Sequence, residues 1–242
     1  WKRIRLAELY EVGEGSGDVQ LFVDAYNRNN GSSNGWYPIT PVFTEGTGQM
    51  QEFVASDDAH LIISLANGAN CSFATYGAIY NKYNSLGRGN SFLGYPTSDE
   101  GDAYPSPYPP GEGTTGKYVR FENGTINHND LTKDIYEIHG PNFDYFEMAG
   151  YSSWHGFPTS DVYEWDENGG NTGERTDVQE GGYIYTDSEG VTKLYSPTAP
   201  SGFFIHSLNP TSIVVGWSDQ SEIESGFRLF KYSWAISSSN DV

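Results

Sequence analysis

The sequence predicts a mainly β protein, and three observations carry that reading. Aromatic residues are abundant (18 Tyr, 13 Phe, 6 Trp) beside 29 Gly, a pairing that favours short strands joined by tight turns. No window repeats apolar residues at helical spacing over several turns, which excludes a helical bundle. Alternating apolar and polar stretches are bounded by Gly- and Asn-rich clusters, as half-buried strands and their hairpins require. The expected order is an N-terminal β domain over 1–72, a region of β repeats over 73–195, and a partial β-sandwich over 196–242.

In the first region, strands are expected at Ile4 to Val12, Asp18 to Tyr26, Met50 to Val54 and His60 to Leu65. The second of these rests on Val19, Leu21, Val23 and Ala25 alternating with polar neighbours, a pattern that Phe22 interrupts. Turn-forming runs at 13–18 and 27–35, rich in Gly and Asn, separate the strands because both residues accept positive φ.

An internal repeat begins in the second region. Phe92-Leu93-Gly94-Tyr95-Pro96-Thr97-Ser98-Asp99-Glu100 is echoed by Trp154-His155-Gly156-Phe157-Pro158-Thr159-Ser160-Asp161, with 62 positions between Gly94 and Gly156. Each copy follows a Tyr- and Phe-rich stretch, at 77–83 and 140–146. Each precedes a strand pair: Gly116 to Phe121 returning through Asn123-Gly124 to Thr125-Ile126, and Gly182 to Tyr185 returning through Asp187 to Gly190 to Val191 to Tyr195. Gly35-Trp36-Tyr37-Pro38-Ile39-Thr40, 59 positions before Gly94, reads as a degenerate third copy. Between motif and hairpin, the first copy carries the proline-rich insertion Asp102 to Gly111, expected as an extended surface loop.

The two Gly-aromatic-Pro-Thr-Ser-Asp copies closely resemble the LGFP repeat, with His155 in place of Leu and Val162 in place of the final Glu. The resemblance covers about half of the chain. It implies β repeats with short helices, able in longer arrays to close into a ring, on bacterial proteins that are secreted or held at the cell surface. Their implied role is attachment to wall polysaccharide without catalysis. The last region, with Ala199-Pro200-Ser201, Val215-Gly216-Trp217-Ser218-Asp219 and Glu224 to Leu229, resembles the first part of a fibronectin type III domain, about half of a ~100-residue sandwich. Its later strands lie beyond the sequence or come from another chain.

A net charge of −19, from 32 acidic and 13 basic residues, opposes binding to nucleic acid and to anionic membrane surfaces. Its plain meaning is solubility in an extracellular medium; its sharper one is divalent-cation binding. The single cysteine, Cys71, excludes an intrachain disulfide framework and a thiolate zinc site, and reads as a small buried hydrophobe. No stretch approaches the ~20 apolar residues of a membrane span. The chain starts at Trp1, so a leader has been removed or the numbering begins inside a longer product.

Two readings of the repeated motif stand side by side. In one, Pro fixes an extended turn, Ser and Asp bond nearby N–H groups, and Tyr95 and Phe157 enter the core. In the other, Tyr95, Asp99, Trp154, Phe157 and Asp161 line a sugar groove, with flat rings for the apolar faces and carboxylates for the hydroxyls. Asp166, Asn168 and Asn171 offer oxygen ligands for calcium, the one cofactor the sequence leaves room for, without an EF-hand register. Sequons place candidate glycosylation at Asn30 and Asn123 in exposed turns, with Asn70 as a third.

The expected function is a secreted cell-surface attachment protein that binds cell-wall or extracellular polysaccharide and is not an enzyme. The alternatives are a homo-oligomeric filament or sheath subunit completed by strand exchange, and a hydrolase of wall glycan using two of the many carboxylates.

Overall fold

The structure is a computed structural model describing residues 10–166, 172–196, 201–209 and 212–218. The chain divides into a unit spanning 1–196 and a second spanning 197–242.

The larger unit repeats one pattern, a helix followed by an antiparallel sheet. Helix α1 (Val19–Arg28) leads into β1 (Tyr37–Pro38), β2 (Phe43–Glu45), β3 (Gly48–Val54), β4 (His60–Leu65) and β5 (Phe73–Tyr76). Helix α2 (Gly77–Leu86) leads into β6 (Gly101–Asp102), β7 (Gly116–Phe121), β8 (Gly124–Asn129) and β9 (Ile135–His139). Helices α3 (Gly140–Met148) and α4 (Ser152–His155) lead into β10 (Tyr163–Asp166), β11 (Thr172–Asp177), β12 (Tyr183–Thr186) and β13 (Thr192–Tyr195). The three sheets run β1-β3-β4-β5, with β2 also on β3, then β6-β7-β8-β9 and β10-β11-β12-β13. In the smaller unit, β14 (Ser201–Asn209) and β15 (Ser212–Ser218) form an antiparallel pair. The mainly β class is therefore correct.

Burial explains how the layers stack. In β4, Leu61, Ile63 and Leu65 pack with Phe22 and Ala25 of α1. Ile62 points the other way and packs with Ile79, Tyr80 and Tyr83 of α2, as the two-residue period of a strand dictates. The same α2 residues meet Val119, Phe121 and Ile126 of the second sheet. On that sheet's far side, Ile138 joins Phe143 and Phe146 of α3 and Ile184 of the third sheet. Helix and sheet thus alternate through the unit, and β4 is buried from Leu61 to Leu65 because both of its faces are covered.

The repeated motif sets the register between layers. Pro38 pairs with Phe53, Pro96 with Phe121 and Pro158 with Val178. Next, the amides of Ile39, Thr97 and Thr159 donate to the carbonyls of Glu52, Arg120 and Asp177. The hydroxyls of Thr40, Ser98 and Ser160 then accept the amides of those same three residues, at 3.1, 3.0 and 2.9 Å. Gly35 to Thr40 is therefore the third copy in geometry as well as spacing.

The aspartate that follows reaches backward. Asp99 accepts the Ala74 amide of the first sheet at 2.8 Å, and Arg28 and Asn29 at the end of α1. Asp161 accepts the Glu137 amide of the second sheet at 3.0 Å and Lys82 of α2. The copy at Gly35 to Thr40 is followed by Pro41 here, where no earlier sheet precedes it among the described residues. The motif aromatic reaches backward too: a Cβ on Gly48 or Gly116 would lie 2.7 or 2.6 Å from the ring of Tyr95 or Phe157, so only glycine admits these rings. Gly173, at the matching position of the third sheet, is covered by Tyr185 of its own sheet instead.

Several expectations change. Residues 18–26 are not a strand: Phe22, which interrupts the alternation, is one of two buried residues at helical spacing, and tertiary packing of Phe22 and Ala25 selects α1. Of the strand expected over 4–12, Tyr10 to Val12 lie outside any strand, and the rest falls outside the described residues. The expected boundary at 72 runs through the first sheet, because β5 pairs with β4, and 1–72 belongs to the same stack. Cys71 is half-buried, its thiol 3.5 Å from the Ser72 carbonyl. The fibronectin-like stretch Glu224 to Leu229 lies outside the described residues.

The proline-rich insertion is more than a surface loop. Ser106 is buried and donates to Gln179 of the third repeat at 2.8 Å, and Tyr108 donates to Glu180 at 3.4 Å. The segment thereby straps the second repeat to the third.

Replacing Asp161→Ala should lower stability by about 1–2 kcal/mol, chiefly through the orphaned Glu137 amide, since the partly exposed Lys82 pair adds little; an unchanged urea midpoint would contradict this. His139 supplies a pH signature. Burial opposes its charge, but the 2.7 Å contact with Glu137 and the nearby Glu174 and Asp161 carboxylates outweigh that and raise its pKa. A raised folded pKa contributes stability below the ordinary value near 6.5, lost as pH rises through the folded value. Thermal melts should therefore show stability falling as pH is raised above about 6.5, with a smaller slope in His139→Gln.

Candidate functional site

The five residues singled out for a sugar groove do not form one. Tyr95 and Phe157 are core residues, 2% and 0% exposed. Tyr95 also accepts the Gly48 amide at 2.7 Å and donates to the Glu45 carbonyl. Asp99 and Asp161 are the backward clasps described above. Only Trp154 offers a ring to solvent, 70% exposed on α4. Asp166 ends β10, and Asn168 and Asn171 lie outside the described residues. Among the described residues, no cluster of three or more His, Cys, Asp or Glu is placed to hold a metal. Asn30 is exposed with φ of 53°. Asn123 sits in the β7–β8 turn, its amide donating to the Phe92 carbonyl at 3.0 Å. Asn70 is exposed in the loop between β4 and β5.

The stack does gather an aromatic surface at the junction of the second and third repeats. Tyr104 comes from the proline-rich insertion, Tyr118 from β7 and Tyr151 from the link between α3 and α4. The rings of Tyr104 and Tyr151 stack at 5.8 Å and 21°, and Tyr118 lies 6.5 Å from Tyr151 at 37°. Tyr151 meets Phe146 of the core edge-on at 5.9 Å, which anchors the surface in α3. Tyr104 is 59% exposed. Ser152 of α4 donates to the Tyr104 carbonyl, so the insertion and the helix bearing Trp154 are fastened together.

Tyr151 adopts φ 56° and ψ −141°, a region open to glycine and costly, by about 1–3 kcal/mol, for a bulky side chain. Its surroundings hold it there. The Tyr151 amide donates to the Phe146 carbonyl at 2.8 Å, and the hydroxyl to Glu147 at 2.5 Å. Glu147 also pairs with Arg120, whose guanidinium lies 5.8 Å from the Phe143 ring. Desolvation, then the bond to Glu147, raises the Tyr151 pKa, so the phenol stays protonated and donates. Lys117 and Asp102 pair across β6 and β7 on the opposite face of the sheet from Tyr118, with the Asp102 side chain 85% exposed.

Flat rings, a carboxylate and hydroxyls on one firm surface suit a polyhydroxylated ligand with apolar faces. A second aromatic group, Tyr163 and Trp165 on β10, differs because Arg175 lies over those rings at 5.9 and 4.5 Å and over Tyr183 at 3.8 Å. There the cation takes the ring faces. A cleft of about 310 Å³ in the first repeat, bordered by Asp18, Thr44, Thr47, Gln49 and Asn67, presents no ring.

Sequence reasoning missed Tyr104, Tyr118 and Tyr151. They lie outside the motif, and only their juxtaposition in the folded stack marks them. Neither a family model nor a curated protein matches the chain.

Tyr151→Ala should lose the edge contact with Phe146 and the Glu147 bond while keeping the unfavourable φ, destabilising the unit by about 2–3 kcal/mol. Tyr151→Gly should recover about 1 kcal/mol of that. Denaturation midpoints ordered the other way would remove backbone strain from the account.

Proposed function

We propose that the chain is a secreted cell-surface attachment protein that binds extracellular or cell-wall polysaccharide and does no chemistry on it. The observation that carries this reading is the aromatic surface of Tyr104, Tyr118 and Tyr151 beside Trp154. Tyr104 and Trp154 are exposed and Tyr118 and Tyr151 half-buried, and such rings present apolar area that stacks on the C–H faces of pyranose rings, with Glu147 and the phenols bonding to hydroxyls. The surface is prepared in advance, since Tyr151 is locked by its backbone, hydroxyl and ring contacts, and such preorganisation lowers the entropic cost of binding.

The resemblance of the repeated motif to the LGFP repeat supports the same role, and the shared register of its three copies supports reading the motif as a structural unit. In this reading the motif builds the stack and the segments between motifs bind. The β14–β15 hairpin agrees with a fibronectin type III-like reading of 196–242, whose opening strands pair in one sheet.

Affinity electrophoresis and calorimetry against a panel of soluble bacterial wall polysaccharides and neutral glycans test the proposal. At least one polymer should bind the wild type, and Tyr104→Ala combined with Trp154→Ala should weaken it about tenfold, the loss expected for two stacking contacts. No retardation by any polymer, or equal binding by the double variant, would overturn it.

A further inference from the structure

We infer that Asn67 is a self-modifying site of the folded protein, its side-chain amide converting through a cyclic imide to aspartate and isoaspartate. This change is independent of the proposed glycan-binding role and lies in the first repeat.

The reaction needs an asparagine whose following backbone nitrogen can reach its own side chain. Glycine at that next position removes the Cβ that would crowd the approach. Five Asn-Gly pairs occur in the sequence, at Asn30, Asn34, Asn67, Asn123 and Asn168, the last of them outside the described residues. What separates the other four is whether the fold ties down the attacking nitrogen or the side chain it must reach.

Three pairs are tied. The Gly31 amide donates to the Tyr26 carbonyl at 2.9 Å, and Gly31 is buried against the Tyr26 ring. The Gly35 amide donates to the Ser32 carbonyl at 3.1 Å, while the Asn34 side chain donates to the Asn29 carbonyl at 3.1 Å. Gly124 is buried in β8 and paired with Phe121, and the Asn123 side chain donates to the Phe92 carbonyl at 3.0 Å.

Asn67 and Gly68 differ on every count. They are the central residues of a turn between β4 and β5, closed by the Ala69 amide on the Ala66 carbonyl at 3.1 Å. Both are exposed. Among the described residues, neither the Gly68 amide nor the Asn67 side chain has a hydrogen-bond partner. A Cβ on Gly68, at φ 74°, would meet nothing within 4 Å, so the forming ring has open space around it. One exposed backbone bond spans the turn and opposes the rotation of Asn67 only weakly.

Base removes the Gly68 amide proton, and the nitrogen attacks Asn67 Cγ. The N–Cγ bond forms, the Cγ–Nδ2 bond breaks, and ammonia leaves, taking up the proton that the base removed. Water then opens the imide at one carbonyl or the other, giving isoaspartate or aspartate. Either product sets a new carboxylate at the cleft of about 310 Å³ that Asn67 borders together with Asp18.

Peptide mapping by mass spectrometry on the full chain, aged at neutral and at mildly alkaline pH, reads each pair separately. Asn67 should convert about tenfold faster than Asn30, Asn34 or Asn123, the rate equivalent of one hydrogen bond that need not break. Its conversion should quicken as pH rises, and an isoaspartyl methyltransferase should label the peptide carrying position 67. In the guanidinium-unfolded chain these four pairs should convert at similar rates, because the fold alone protects three of them. Conversion of Asn30, Asn34 or Asn123 as fast as Asn67 in the folded chain overturns the inference. So does an Asn67 that stays intact while the unfolded chain reacts, or an unfolded chain that favours Asn67 by the same factor.

Discussion

The stack depends on a motif that faces two ways. From its proline onward, Gly-aromatic-Pro-Thr-Ser-Asp pairs forward with the sheet that follows it. Its aromatic ring and its aspartate reach backward to the sheet and helix that precede it. Tyr95 over Gly48 with Asp99 on Ala74, and Phe157 over Gly116 with Asp161 on Glu137, are the two instances. Six consecutive residues thereby join four elements, and the motif's composition follows from that double duty. Proline presets the extended turn, the hydroxyl and carboxylate satisfy edge amides that a sheet end leaves open, and the ring fills the space that a missing Cβ creates. Neighbouring layers are coupled through these turns, as expected of repeat architectures whose units contact only their neighbours.

Much of this was legible in the sequence because it is local. The β hairpin through Asn123-Gly124, the strand over His60 to Leu65 and the paired motifs all announce themselves through turn chemistry, alternation or repetition. Helix α1 did not. Four of its apolar residues mimic strand alternation, and Phe22 and Ala25 show helical spacing over a single turn only, so the decision fell to the Phe53 and Leu61 surface beneath them. The boundary at 72 misled for a related reason: the N-terminal copy, Trp36-Tyr37-Pro38-Ile39-Thr40, keeps the geometry of the motif without its Ser-Asp ending.

The candidate site was less legible, and the reason is physical. Repetition marks what the fold needs everywhere, so the repeated aromatics Tyr95 and Phe157 proved to be core. The rings of the candidate surface come largely from what differs between repeats: the insertion bearing Tyr104, the link bearing Tyr151 and the short helix bearing Trp154. These segments are far apart in sequence and meet only because Ser106, Ser152 and Gln179 tie the insertion to the third repeat. Trp154, the one ring correctly expected at the surface, belongs to the variable approach to the motif rather than to its shared core.

The third sheet adds a consequence for length. Where the first two sheets leave a glycine socket for a ring from the next motif, the socket at Gly173 is already plugged by Tyr185 from β12. A fourth motif docking in the same manner would have to evict that ring. Extending the array by another motif of this kind therefore requires the Tyr185 ring to move first, a demand that neither of the two earlier sheets makes.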